Sequence, residues 1–120
     1  MPGTPRRTIA SLVGEELNAV SFVIDYVEFH FNGPVLRALV PPQLETASGL
    51  VRFPNPGSRD ALCGLIGATV LGVAVNEDHH IQLTLSKGQR LVIPLDDPAQ
   101  ASPEAATFQG EAVDGPLDVW

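Results

Sequence analysis

Residues 6–22 read RRTIASLVGEELNAVSF, and residues 59–75 read RDALCGLIGATVLGVAV, the same pattern 53 positions later. Arg6 falls on Arg59, Leu12 on Leu65, Gly14 on Gly67 and Val20 on Val73, while Ile9, Val13, Leu17 and Phe22 meet Leu62, Ile66, Val70 and Val75. With one more residue of offset, YVEFHFN (26–32) falls on HIQLTLS (80–86), so Val27, Phe29 and Phe31 answer Ile81, Leu83 and Leu85. One residue further, Gly33, Leu36, Ala38 and Val40 answer Gly88, Leu91, Ile93 and Leu95. Offsets that change only at turns are what a duplicated segment shows, because loops tolerate insertions.

Each copy predicts the same local structure. A short helical turn with apolar residues at near-helical spacing stops at a glycine suited to a left-handed helix end. A strand and a hairpin follow. In the second strand Val27, Phe29, Phe31 and Ile81, Leu83, Leu85 face a core, while Glu28, His30, Gln82 and Thr84 face water. The turns NGP and SKGQ lead to a third alternating strand, residues 35–40 and 90–95. Two three-stranded meanders with one apolar face each must cover one another. The expected fold is therefore mainly β, with two duplicated three-stranded antiparallel meanders forming a small barrel or sandwich, together with short helical turns.

Working outward, residues 1–120 read as one domain, with the repeat at 6–42 and 59–97. Residues 41–57, rich in Pro, Gly and Ser, read as a connecting loop. In residues 98–120, Ser102 looks like an N-cap with Pro103 at the first helical position, so SPEAATF predicts a helical turn. GPLDVW then predicts an edge strand with Trp120 as its anchor.

Composition narrows the function. Fourteen acidic against seven basic residues give a net charge of −7, and no Lys or Arg follows Arg90. That disfavours nucleic acid, whose phosphates require a basic surface. Six acids, Asp96, Asp97, Glu104, Glu111, Asp114 and Asp118, lie in the final stretch and read as a solvated acidic surface or, more sharply, as a face for a basic protein partner. The longest uncharged run, 61–76, is too short to cross a bilayer, so no membrane partner is expected. Glu15 and Glu16 interrupt any signal-like apolar stretch. The single Cys63 cannot make an internal disulfide and suits a cytoplasmic location.

The chemistry-bearing residues are sparse. Glu77, Asp78, His79 and His80 sit where a hairpin turn is expected, and two adjacent histidines in extended chain point apart, which is poor chelation. Cys63 aligns with Ala10 in an apolar turn and reads as a buried small residue. Asp25 with Glu28, and Asp96 with Asp97, obey no spacing rule that makes an acid–base pair. No nucleophile elbow, zinc-protease, P-loop or dinucleotide motif occurs, so neither catalytic residues nor a cofactor are expected. Phe53, beside PNPG, is an aromatic that either folds over the core or anchors a partner.

The segments LVGEELNAVSFVIDYVEFHF (12–31), LIGATVLGVAVNEDHHIQLTLSKGQRLVIPL (65–95), SPEAATF (102–108) and LDVW (117–120) together resemble a family of small, uncharacterised bacterial β-rich proteins, a domain of unknown function. The resemblance implies fold rather than chemistry and transfers no catalytic residue. By fold-level analogy it suggests immunity or accessory proteins of bacterial toxin systems. The expected function is a non-enzymatic protein-binding module, with Glu111, Asp114, Asp118 and Phe53 as candidate partner-binding residues. A small-ligand-binding β-barrel carrier is the alternative.

Overall fold

Period-two alternation is satisfied when one face of a strand is buried and the other is left to solvent. The computed structural model, which describes residues 9–24, 26–96, 105–110 and 117–120, places the alternating segments accordingly. Val27, Phe29, Phe31, Ile81, Leu83 and Leu85 are all buried. Glu28, His30, Gln82 and Thr84, expected outside, are half-buried, since central strands shelter the outer face of their neighbours as well.

A 3-10 turn, Ile9–Leu12, precedes strands β1 (Ala19–Val23), β2 (Tyr26–His30), β3 (Val35–Ala38), β4 (Gln43–Thr46) and β5 (Gly49–Arg52). The helix α1 (Ser58–Cys63) then precedes β6 (Val70–Asn76), β7 (His80–Leu85), β8 (Arg90–Pro94), β9 (Ala106–Gln109) and β10 (Leu117–Val119). One sheet has the order β1-β2-β3-β9-β10 and the other β5-β4-β8-β7-β6, with every pairing antiparallel. The sheets do not close into a barrel; they are the two layers of a sandwich around one core cluster to which both contribute.

The two meanders share one register. Val27 pairs with Ala38 and Phe29 with Leu36, as Ile81 pairs with Ile93 and Leu83 with Leu91. Val20 faces Phe29 and Phe22 faces Val27, as Val73 faces Leu83 and Val75 faces Ile81. The turns are joined in reciprocal fashion. Gly14 N–H donates to Val70 O and Gly67 N–H to Leu17 O, both at 2.8 Å. Leu17 N–H donates to Ala68 O and Val70 N–H to Glu15 O, both at 2.9 Å. Each bond has a mate with donor and acceptor exchanged between the copies, the hallmark of a two-fold contact, and the isolated bridge between Glu16 and Thr69 lies at its centre.

Two sequence expectations are corrected. Residues 41–57 are not a plain loop: they contain the β4–β5 hairpin, turned at Ala47 and Ser48. In the C-terminal stretch, Ala106–Gln109 is a strand rather than part of a helical turn, while Ser102, Pro103 and Glu104 lie outside the described residues. Pairing on both sides, with β3 and β10, overrides the local preference of an Ala-rich segment. β10 is the expected edge strand, and Trp120 packs against the core.

These corrections extend the equivalence. The hairpin β4–β5 follows the first meander in sequence but pairs with β8 of the second. The arm β9–β10 follows the second meander but pairs with β3 of the first. Leu44 meets Leu91 as Phe108 meets Leu36, Phe53 N–H donates to Pro42 O as Trp120 N–H donates to Ala106 O, and each half thus lends two strands to the other.

Candidate functional site

A cleft of about 300 Å³ opens at one end of the sandwich, where β2 begins and β3 ends. Its floor is Val27 and Ala38, and its walls include Ile24, Tyr26, Phe53 and Pro54. The chain folds this way because Pro41 and Pro42 cannot donate to a sheet ladder and so break pairing as the chain crosses from β3 to β4. The small Ala38 stands where the other half has Ile93, which leaves space over the floor. Ile24, on the tight turn between β1 and β2, is 99% exposed at the rim.

Phe53 joins the cleft to a second feature. Its ring stacks on Phe22 at 5.7 Å with 14° between planes, and the Arg59 guanidinium lies 5.0 Å from the Phe53 centroid and 5.7 Å from that of Phe22. The helix α1 holds Arg59 there by packing against β1 and β5. Of the two sequence readings of Phe53, the structure shows the fold back over the core, and the same ring also lines a surface cleft.

The outer face of the first sheet carries a polar group. Arg37 Nε donates to Glu28 Oε2 at 2.6 Å, and His30 Nε2 lies 3.1 Å from Glu28 Oε1 and 3.4 Å from Ser21 Oγ. Burial alone would raise the Glu28 carboxyl pKa, but the hydrogen bonds and charges of Arg37 and His30 outweigh it and hold the group below its ordinary 4.5. Ser, His and Glu together suggest a nucleophile relay, yet the geometry is wrong. A relay uses both imidazole nitrogens, one toward each partner, and here a single nitrogen faces both.

The remaining candidates are dispersed. His79 is exposed in the β6–β7 turn with Nδ1 3.4 Å from Asp96 Oδ2, and His80 begins β7. Among the described residues no group of three or more His, Cys, Asp or Glu side chains is placed to hold a metal. Cys63, expected to be buried, is exposed. Its alignment with Ala10 is sound, since Ala10 is exposed too, but in both turns the neighbouring leucines take the core side. Asp25, Asp97, Glu104, Glu111 and Asp114 lie outside the described residues, and Asp118 is on β10. Among the described residues, those the structure gathers at the Phe53 cleft and ring include Ile24, Tyr26 and Arg59, which the sequence reading does not single out. The available signal was the mismatch of Ala38 with Ile93 in otherwise matched strands.

Among the described residues no helix is long and apolar enough to cross a membrane. No protein-family model, curated protein or solved structure matches the chain.

Proposed function

We propose that this chain is a non-enzymatic protein-binding module that docks an apolar side chain of its partner in the Phe53 cleft, in the manner of immunity or accessory proteins of bacterial toxin systems. The observation that carries this reading is the cleft itself: an apolar depression of about 300 Å³ with an aromatic wall and a fully exposed isoleucine at its rim. Interfaces concentrate their energy in a few such anchor pockets. The size is at the bottom of the range for small-molecule sites, roughly 300–1,000 Å³, and the sheets enclose no barrel interior, which favours one protein side chain over a carried ligand. The net charge of −7 would steer a partner of opposite overall sign toward the molecule.

The test is selection from a displayed random-peptide library on the wild-type chain, followed by comparison with Ile24→Glu. Ile24 is exposed, so the variant should keep its thermal midpoint. Selected peptides are expected to share an apolar anchor and to bind the variant about tenfold more weakly, the cost of losing one good interface contact. Peptides that bind both proteins equally would place the docking site elsewhere.

A further inference from the structure

Resting on the proposed docking cleft, we infer that Arg59 is its specificity-determining residue and that the partner segment carries a carboxylate next to its apolar anchor. Cations in the described residues are mostly committed. Arg37 is tied to Glu28, Arg90 lies 3.6 Å from Glu45, and Lys87 donates to the carbonyls of Gly64 and Ile66. Among the described residues the side chains of Arg52 and Arg59 have no hydrogen bond or ion pair, and of the two only Arg59 lies against a ring that lines the cleft.

A guanidinium packed over aromatic rings uses its apolar faces and keeps the N–H edge free, and that edge matches a carboxylate in two-point geometry. The rings also restrict its rotamers, so less freedom is lost when the anion arrives. Phe53 is thus shared: it walls the space for the anchor and supports the cation beside it. The described residues that line the cleft carry no formal charge, and Arg59 is a cation that lies against one of them, Phe53, even though the chain as a whole is acidic. Long-range steering favours a basic partner, while the contact itself selects an acid on it. A chain-terminal apolar residue, with its side chain and α-carboxylate on the same Cα, has this chemistry in the least space.

The probe is the peptide acetyl-Ala-Pro-Leu with a free carboxylate, compared with its C-terminal amide and with acetyl-leucine, each followed by amide shifts of Ile24, Tyr26 and Phe53. The acid should bind about fivefold tighter than the amide at low salt, the worth of one well-formed, partly exposed ion pair. The preference should shrink as ionic strength rises toward 0.15 M. Arg59→Gln should bring the acid down to the amide while leaving the amide unchanged, and Arg59→Lys should keep part of the preference. Acid and amide that shift the cleft equally, with no effect of Arg59→Gln, would overturn this inference and leave the docking cleft standing. Peptides that leave the Ile24, Tyr26 and Phe53 signals unmoved would overturn the docking cleft itself. Acetyl-leucine binding as tightly as the peptide acid would overturn the protein-segment occupant in favour of a small acid.

Discussion

The two halves of this chain carry one backbone plan with different side-chain volumes. The first meander places Phe29 and Phe31 where the second has Leu83 and Leu85, and Ala38 where the second has Ile93. The exchanged arms continue the trend, Phe108 packing on the first sheet and Leu44 on the second. One sheet thus fills its core with large and small side chains, the other with medium ones. Cores tolerate such redistribution when total volume and pattern are kept. The local mismatch shows where the large-and-small scheme has a small residue at an open end: at Ala38, on the floor of the cleft.

The largest effects should come from breaking this packing. Phe29 is fully buried, and truncation to Ala is expected to cost about 3–5 kcal/mol, while Leu83→Ala at the equivalent position should cost about 2–5 kcal/mol. Denaturant titration checks both. A loss below about 1 kcal/mol at either position would show that its half contributes little to the shared core, on the same scale for large-to-small changes.

The turn glycines sharpen the comparison at a smaller scale. Gly14 and Gly67 have φ of +91° and +93°, and a Cβ at either would meet nothing within 4 Å. The cost of Gly→Ala is therefore backbone strain alone, about 1–2 kcal/mol at each site. The two costs should agree within about 0.5 kcal/mol, the usual scatter between independent sites. A difference of more than about 1 kcal/mol, measured by the same titration, would mean that the reciprocal hydrogen bonds hide unequal surroundings.

How much of this was legible follows from range. The meanders could be read from Val27, Phe29, Phe31 and their counterparts because burial of one strand face imprints a period of two on a few neighbouring residues. β4 was hidden because PP precedes it and only Leu44 of its four residues is buried. β9 was misread because Ser102, Pro103 and two alanines carry a local helix signal that long-range pairing overrides. The exchange of hairpins between halves has no local signature, since β4 must find β8 across nearly half the chain. The cleft was missed for the same reason: Ile24, Ala38 and Phe53 come from three separate stretches of chain and line one cleft only in the folded protein. Phe53 alone was visible as a candidate, because an aromatic beside a turn is conspicuous in any register.

The smallest expected effect distinguishes the two outer faces. The row Ser21, Glu28 and Arg37 across the first sheet corresponds to Ala74, Gln82 and Val92 across the second. Glu28→Gln therefore gives the first sheet the residue that the second already has. Because the folded-state pKa of Glu28 lies below its ordinary 4.5, the unfolded chain binds more protons between the two values. The group's contribution is complete above about 4.5 and is lost as pH falls through the folded-state value. Near pH 7 the variant should thus be slightly less stable than the wild type, since Arg37 loses its carboxylate but stays about a third exposed and hydrated. As pH is lowered below 4.5 and through the depressed folded-state value the two denaturation midpoints should converge, because the wild-type carboxylate is then being protonated and gains no more from Arg37 than the amide does. Other carboxylates titrate in both proteins, so the difference between them isolates Glu28. A gap that stays constant or widens on acidification would mean that Glu28 acts through its shape rather than its charge, and the polar row would then differ from its counterpart in composition only.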